Sequence, residues 1–370
     1  MNSIVPKAYI HLDRLLVNIE NIHQYVGGQK LMCVVKANGY GHGAVQIANA
    51  LLKYPEIIFA VFSFEEAIEL REHGIKNDLF IFSKLQPNLL SKALELNLTL
   101  NSSAITDLQE LAKFKNQNGS CPNFHIKFDT GMTRLGFNLK EQDEVFKFLK
   151  ENDLDPDGIY SHFSTADEGD LSFAKFQLEQ FNNAVDNAKS SGIYFNYIHC
   201  SNSGAILNMP ESYFNLIRVG MLMYGVAPSD EVSMTVDVEP VMSFCGPIVN
   251  VRQVAKGTQI SYGGIYTTEK ETNIAVVQTG FADGFPRPWF EDGYVSYNGK
   301  HYKIAGRVCM DQLMVDFGDD LPEEGEEVLF FGKKDGNEIP VEIIAKTINS
   351  TTYVLLTAIH GRTKRISIKN

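Results

Sequence analysis

The chain has 370 residues, of which 44% are hydrophobic and 21% are charged, and this composition excludes a disordered or collagen-like protein. Its formal net charge of −12 argues against nucleic acid or an anionic membrane surface as the main partner. The five cysteines are scattered without a C-x-x-C pair, and no apolar stretch reaches the roughly 18 residues of a membrane helix, so we expect a soluble, cytoplasmic protein with no metal site.

Short β-branched or aromatic runs alternate with amphipathic segments up to about residue 235. The predicted strands are 31–37, 57–63, 78–83, 97–102, 123–129, 158–163, 195–201 and 214–220. The clearest predicted helix covers 170–192, where apolar residues recur at spacings of three and four. Strands alternating with helices form a parallel sheet, and eight such units favour a (β/α)8 barrel. A doubly wound open sheet is the alternative, although eight strands would be many for it.

The pattern changes near residue 235. Beyond it, β-rich runs alternate with Gly and Asn-Gly turns, and the segment "YNGKHY" at 297–302 is the best hairpin signal. A helical pattern returns only at 339–357. We therefore predict an α/β protein with two domains, an N-terminal (β/α)8 TIM barrel over 1–235 and a C-terminal mainly antiparallel β domain over 236–370.

Several polar residues follow or end the predicted barrel strands, and such positions converge on one mouth of a barrel. They are Lys36, Lys127, Asp129, Arg134, His162, Ser203 and Arg218. Singly, each has a plainer interpretation: a solvated charge at a strand end, a core histidine at His162, or a helix N-cap at Ser203. Together they place several cations and a histidine at one mouth of an acidic protein, which points to an anionic ligand or a network of counter-charges.

The loops after the seventh and eighth strands offer a plausible seat for a phosphate group, because barrels often bind phosphate there. These loops supply Ser203, Gly204, Gly220 and Met221. A lysine buried at the same mouth, Lys36, would have a lowered pKa, as a Schiff-base lysine requires. The combination suggests pyridoxal 5'-phosphate (PLP), although from spacing alone a sugar phosphate is an open alternative.

A set of motifs resembles the alanine racemase family of fold-type III PLP enzymes, in the family's order from about residue 31 to 365. The motifs are "VVKANGYGHG", "KFDTGMTRLGF", "YSHFSTAD", "HCSNSGA", "IRVGMLMYG", "ISYGGIYT", "GRVCMDQLMVD" and the terminal "YVLLT" and "GRTKR". The resemblance implies a PLP-binding barrel followed by a β domain. It also implies a head-to-tail homodimer in which the β domain of one subunit closes the barrel of the other.

The resemblance assigns roles to individual residues. Lys36 would join PLP through a Schiff base, and Tyr262 would be the second catalytic base. The phosphate would be held by Tyr40, Ser203, Gly220, Met221 and Tyr353. Arg218 would bond the pyridine nitrogen with His162 beside it, and Arg134 would contact the phenolic oxygen of PLP and the substrate. The backbone N–H of Met310 would receive the substrate carboxylate, so Tyr262 and Met310 would act in the partner's site.

The implied activity is the interconversion of L- and D-alanine, supplying D-alanine for peptidoglycan. Lys36 would take the Cα proton from the D-isomer and Tyr262 from the L-isomer. The alternatives are a serine or broad-specificity amino-acid racemase, a fold-type III decarboxylase, and a non-catalytic PLP-binding protein. The sequence leaves three questions open: whether the substrate is alanine or serine, whether the role is biosynthetic or catabolic, and how strong the dimer is.

Five residues carry further expectations. In the family a lysine at the position of Lys127 can be carbamylated; the alternative is a plain lysine bonded to the carboxylate of Asp129. Phe281 stands where many relatives have the tyrosine of the inner entrance, so one polar contact is lost there. The outer entrance would be lined by Asp167, Arg287 and Arg307, with salt bridges at the rim as the plainer interpretation.

Overall fold

The computed structural model describes residues 4–368. The chain opens with strand β1 (Lys7–His11) and helix α1 (Leu12–Tyr25). The strands of the N-terminal half then follow as β2 (Lys30–Val34), β3 (Ile58–Val61), β4 (Leu79–Ile81), β5 (Leu98–Ser102), β6 (Phe124–Asp129), the short β7 (Phe137–Asn138), β8 (Gly158–Tyr160), β9 (Tyr197–His199) and β10 (Leu216–Val219).

Eight of these strands form one parallel sheet in the order β10-β2-β3-β4-β5-β6-β8-β9, while β7 pairs beside β6. The first and last strands in this order are brought together by Arg218 on β10, whose guanidinium lies 2.8 Å from His199 on β9. The sheet therefore closes as the predicted (β/α)8 barrel, and all eight predicted strands are confirmed. The observed strands are shorter than predicted, and Lys36 lies beyond the end of β2.

Helices connect these strands; the longer ones cover the outside of the barrel, and the two that begin at Lys36 and Ser203 stand at its mouth. The helices in chain order are α2 (Lys36–Tyr40), α3 (Ala44–Leu51), α4 (Phe64–Glu72), α5 (Leu90–Glu95), α6 (Ile105–Asn118), α7 (Gln142–Glu151), α8 (Ser172–Ser190) and α9 (Ser203–Asn208). Helix α8 confirms the helix predicted over 170–192, and it buries Leu178 and Phe181 against the barrel. Inside the barrel, Phe80 packs against the rings of His125, Tyr160 and His199, while Phe59 is buried on the opposite, helix-covered face of the sheet.

The C-terminal half is built on a ring of six antiparallel strands. The strands of the whole C-terminal half, in chain order, are β11 (Met242–Val254), β12 (Gln259–Ile260), β13 (Tyr266–Thr267), β14 (Thr272–Val277), β15 (Tyr294–Tyr297), β16 (Lys300–Ile304), β17 (Leu313–Asp316), β18 (Glu327–Lys334), β19 (Asn337–Ile339) and β20 (Lys364–Ile368). The ring runs β11-β14-β17-β16-β15-β18 and closes by pairing β18 with β11. Strands β12 and β13 form a separate two-stranded ribbon.

Two features of this half agree with the sequence patterns. The predicted hairpin at "YNGKHY" is the turn between β15 and β16, where Asn298 and Gly299 both take positive φ. The predicted terminal helical segment becomes α10 (Val341–Thr347) and α11 (Thr352–Thr357). The mainly antiparallel architecture is as expected.

The N-terminal strand was not predicted. Strand β1 leaves the barrel half and pairs antiparallel with β11 and parallel with β20. Residues 7–11 therefore belong to the sheet of the C-terminal half. The division into 1–235 and 236–370 remains a proposal, and β1 crosses it.

Candidate active site

A cavity of about 440 Å³ opens at the carboxyl ends of the barrel strands, a volume typical of small-molecule sites. Eleven of the residues singled out from the sequence line it: Lys36, Tyr40, Lys127, Arg134, His162, Asp167, Ser203, Arg218, Gly220, Met221 and Tyr353. The structure thus brings together the predicted lysine, the phosphate seat and the cations. Tyr262, Phe281, Arg287, Arg307 and Met310 are not among the residues that line it.

Lys36 stands at the start of an unusual turn. The four residues that follow it, Ala37 to Tyr40, all have φ between 51° and 63°, which makes a left-handed helical turn instead of an ordinary α2 helix. Gly41 continues with φ 83°, and a Cβ there would lie 2.1 Å from the carbonyl oxygen of Leu356. The glycine-rich sequence is therefore required for this turn to pack against α11 while Lys36 faces the cavity.

Burial lowers the pKa of Lys36, and the positive charges of Arg134 and Arg218 lower it further. Two aromatic rings lie near the amine: the Lys36 Nζ atom is 5.8 Å from the Phe82 ring centre and 6.0 Å from that of Tyr40. A lysine with a lowered pKa supplies the neutral amine that attack on a carbonyl group requires. Lys36 is thus a half-buried amine that lines the cavity and not a solvated strand-end charge.

Arg218 is buried beneath the cavity and held by four hydrogen bonds. Its guanidinium donates to the carbonyl oxygens of Ser161 and Cys200, both at 2.9 Å, and to ring nitrogens of His199 at 2.8 Å and His162 at 3.1 Å. Burial lowers its pKa to about 10, so it stays protonated at neutral pH. An arginine has no acceptor atom, so any ring nitrogen that it contacts in the cavity must carry a lone pair.

Behind Arg218, a line of buried polar groups crosses the barrel. His199 Nε2 lies 2.9 Å from His125 Nδ1, and His125 Nε2 lies 3.8 Å from a carboxylate oxygen of Asp157 at the start of β8. Burial lowers the pKa of both histidines. The sequence interpretation missed all three residues, although the two histidines occupy positions in otherwise apolar barrel strands that could have signalled an inward polar chain.

The predicted phosphate seat is a compact cluster on the other side of the cavity. Ser203 Oγ accepts hydrogen bonds from the backbone N–H groups of Gly220 at 3.2 Å and Leu222 at 3.3 Å. A Cβ at Gly220 would lie 3.1 Å from the Tyr40 hydroxyl and would crowd it. The rings of Tyr40 and Tyr353 lie 5.9 Å apart, and burial raises the pKa of both phenols, which therefore remain hydrogen-bond donors.

The alternative interpretation of Ser203 as a helix cap is wrong. Asn202 caps α9, because its Oδ1 atom accepts from the N–H of Ala205 at 2.9 Å. The Ser203 hydroxyl, at the start of α9, instead accepts the hydrogen bonds from the loop after β10. The hydroxyl is thereby held at the rim of the phosphate seat.

Lys127 lies on β6 and is 5% exposed. Burial and the charges of Arg134 and Arg218 lower its pKa to about 8. Within residues 4–368 no hydrogen bond or ion pair joins it to Asp129, whose Oδ1 atom accepts from the backbone N–H groups of Gly131 at 2.9 Å and Thr133 at 3.0 Å. The plain lysine–aspartate pair is therefore absent from this structure.

Tyr262 and Met310 lie together on an exposed face of the C-terminal half. Their side chains are 68% and 56% exposed, and Phe281 and Arg307 lie on neighbouring segments of the same face. The segments are joined by backbone hydrogen bonds from Phe281 N–H to the Cys309 carbonyl at 3.2 Å and from Ala282 N–H to the Met310 carbonyl at 3.0 Å. These catalytic and substrate-binding candidates therefore form a second surface apart from the cavity lining.

The entrance residues divide between the two surfaces. Asp167 lines the cavity, and burial raises the pKa of its carboxyl group. On the exposed face, the guanidinium of Arg287 lies 5.9 Å from the ring centre of Phe281. In the described part of the chain, none of Asp167, Arg287 and Arg307 forms an ion pair, so the rim salt bridges considered from the sequence are not made within one chain.

Among the residues that the structure describes, no group of three or more His, Cys, Asp or Glu side chains is placed to hold a metal ion. No helix between residues 4 and 368 is long and apolar enough to cross a membrane.

Comparison with known proteins gives one consistent result. The family profile described as "Alanine racemase, N-terminal domain" matches residues 10–228, and that described as "Alanine racemase, C-terminal domain" matches residues 241–367. The alanine racemase of Desulforamulus reducens is 38% identical over 366 residues, which are 98% of this chain and 98% of that protein.

Solved structures agree with these sequence matches. The alanine racemase of Clostridium difficile 630 superposes with a TM-score of 0.92 at 32% identity, covering 100% of this chain and 97% of that one. The enzyme from Bacillus anthracis with bound L-Ala-P superposes with a TM-score of 0.90 at 31% identity, covering 100% and 96%.

Proposed function

The chain belongs to the alanine racemase family, and on that premise we propose that it interconverts L- and D-alanine with PLP bound in the cavity around Lys36. The observation that carries the proposal is the meeting of three features in one cavity of about 440 Å³. These are the amine of Lys36, the donor-only guanidinium of Arg218 and the seat around Gly220. They match the aldehyde, the pyridine nitrogen and the phosphate of PLP respectively.

The resemblance to the family and the lining of the cavity together support a role in PLP binding for each of the following residues. Tyr40, Ser203, Gly220, Met221 and Tyr353 would bind the phosphate. Arg218 would bond the pyridine nitrogen and keep it unprotonated, with His162 beside it. Arg134 would reach the phenolic oxygen and the substrate. When bound, PLP withdraws electrons from the α-carbon of an attached amino acid and makes its proton acidic.

Racemisation then needs a base on each face of the α-carbon. Lys36 supplies one inside the cavity: it accepts the Cα proton of D-alanine and returns a proton to that face. Tyr262 would supply the other, accepting the Cα proton of L-alanine. The backbone N–H of Met310 would hold the substrate carboxylate so that the Cα–H bond points at a base.

Since Tyr262 and Met310 are exposed and do not line the cavity of their own chain, we propose that they serve the cavity of a second copy in a homodimer. Phe281 at 39% and Ile265 at 47% exposure add apolar surface to the same face, and covering it would remove this area from water. Phe281, Asp167, Arg287 and Arg307 would then border the passage between the subunits. The paired assembly would exclude water from the reacting groups.

Lys127 is proposed to be carbamylated. Its lowered pKa of about 8 leaves a substantial neutral fraction at neutral pH, and the neutral amine is the form that attacks CO2. The new N–C bond gives a carbamate anion and releases one proton. The anion would face Arg134, which lines the same cavity and whose positive charge lowers the pKa of Lys127.

The cellular setting is also a proposal. All five cysteines are free thiols, which fits a reducing cytoplasm. A cytoplasmic racemase of this kind would supply D-alanine for peptidoglycan.

A panel of L-amino acids incubated with the PLP-loaded protein tests the activity. We expect D-alanine to form fastest, because the bulk of Tyr353 in the cavity favours a small side chain. The Lys36→Ala variant is the inactive control. Faster conversion of serine would overturn the assignment of alanine as substrate, and failure to form any D-isomer would overturn the racemase proposal itself.

A further inference from the structure

Tyr262 lies at the tip of the ribbon formed by β12 and β13, outside the six-stranded ring. The strand pair next to the tip is fixed to the ring by Ile260, which packs with Ile274 and Ala305, and by the Tyr266 hydroxyl, which donates to Asp316 at 2.6 Å. These contacts hold the two ends of the loop 261–265 and not Tyr262 itself. Something else must set the position of Tyr262 relative to the rest of the exposed face.

Ser261, the residue before Tyr262, has an unusual backbone. Its φ of 65° and ψ of −176° lie in a region that residues with a Cβ seldom adopt and that glycine adopts freely. Backbone geometry alone would therefore favour glycine at this position. The presence of serine instead of glycine is explained by a contact of the serine hydroxyl.

That hydroxyl donates a hydrogen bond to the carbonyl oxygen of Arg307 at 2.6 Å. The two segments are in close contact here, since a Cβ at Gly306 would lie 2.8 Å from the Ser261 Cβ. Arg307 begins the segment that continues to Met310, whose carbonyl is in turn held by the N–H of Ala282. The hydroxyl of Ser261 thus ties the tip of the ribbon directly to the segment that carries Met310.

We propose that Ser261 is a positioning residue that fixes Tyr262 relative to Met310, so that the base and the carboxylate-binding amide enter the partner's cavity as one unit. This inference rests on the proposed roles of Tyr262 and Met310. A base displaced by a fraction of an ångström loses its alignment with the Cα–H bond, and rates fall steeply with such displacement. Because the ribbon tip carries Tyr262 and not Met310, loss of this hydrogen bond would displace Tyr262, and the loss of rate is selective for the step that Tyr262 performs.

The test is the exchange of the Cα proton with D2O, measured separately from L-alanine and D-alanine on the PLP-loaded protein. In Ser261→Ala and Ser261→Gly, exchange from L-alanine is expected to fall by about tenfold to a hundredfold, while exchange from D-alanine changes by about twofold or less. Ser261→Gly also relieves the backbone, so it keeps the test available if the alanine variant does not fold. Thr267→Ala, on the exposed part of the same ribbon, is the control and should leave both rates unchanged.

Equal losses for the two enantiomers, or no loss in either, would overturn the role of Ser261. Tyr262→Phe is measured alongside and separates this failure from a failure of the proposed function. If Tyr262→Phe leaves exchange from L-alanine intact, the assignment of Tyr262 as a base is wrong and the inference about Ser261 falls with it. If Tyr262→Phe abolishes that exchange while the Ser261 variants do not slow it, only the inference about Ser261 is wrong.

Discussion

The Nδ1 atom of His199 lies 2.8 Å from a guanidinium nitrogen of Arg218, and both side chains are buried. Because arginine can only donate, Nδ1 of His199 is the acceptor and its Nε2 carries the hydrogen. That hydrogen points to His125 Nδ1 at 2.9 Å, which leaves the hydrogen of His125 on Nε2, facing Asp157. The donor-only Arg218 at one end of the line and the acceptor-only carboxylate of Asp157 at the other therefore favour the same hydrogen-bond direction.

Asp157→Asn should weaken this line of contacts without reversing it. The asparagine can still present its Oδ1 atom to His125 Nε2, but the acceptor is then neutral and no longer charged. We expect a loss of about 1–3 kcal/mol in the free energy of unfolding, together with a lower kcat. Urea unfolding and steady-state assays check this, with Asp155→Asn at an exposed neighbouring position as the control. Identical behaviour of the two variants would contradict the role of Asp157.

Gly220→Ala should weaken PLP binding. The added methyl group would lie 3.1 Å from the Tyr40 hydroxyl and would occupy the proposed phosphate seat. Overpacking of this kind costs about 1–3 kcal/mol, which corresponds to an increase of about fivefold to 150-fold in the Kd of PLP. Titration of the apoprotein with PLP, followed by absorbance, measures it. Gly169→Ala is the control, because a Cβ there meets only the flexible end of Glu231, and equal Kd values in the two variants would argue against this phosphate seat.

The protein should lose stability as the pH falls below about 6.5, the ordinary pKa of histidine. Burial lowers the pKa of His11 and His42 to about 4 and also lowers those of His125, His162 and His199. Between the two values the unfolded chain binds protons that the folded chain does not, so stability decreases with decreasing pH, by up to about 1.4 kcal/mol per pH unit for each group. Urea midpoints recorded from pH 7 to pH 5 should fall steadily; a constant midpoint would contradict this explanation.

Carbamylation of Lys127 predicts a bound carbamate whose amount increases with CO2 and with pH through about 8, where the amine becomes neutral. NMR of the PLP-loaded protein equilibrated with isotope-labelled bicarbonate should show one carbamate carbon signal. Lys127→Gln should lack it. A wild-type spectrum without this signal above pH 8 would rule the modification out.

The barrel, the β-rich half and the set of residues around Lys36 could be predicted from the sequence. The carboxyl ends of barrel strands converge, so polar residues at the ends of successive predicted strands are expected to lie in one cavity. The sequence could not reveal that β1 joins the far sheet, since a five-residue strand carries no information about its partner. It missed Asp157 for a similar reason: the residue acts through His125 and His199, and such contacts depend on which side chains of the adjacent strands β6, β8 and β9 meet inside the barrel. The strained backbone of Ser261 likewise leaves no trace in the motif "ISYGG".

The sharing of Tyr262 between subunits is tested most directly by complementation. Lys36→Ala and Tyr262→Phe chains carrying different tags are co-expressed, and the mixed dimer is purified with PLP. If Tyr262 serves the partner's cavity, one of its two sites contains both Lys36 and Tyr262, and activity should recover to about half that of the wild-type dimer. If the mixed dimer is no more active than the two parent variants, Tyr262 does not act across the interface and the two-base, shared-site account is wrong.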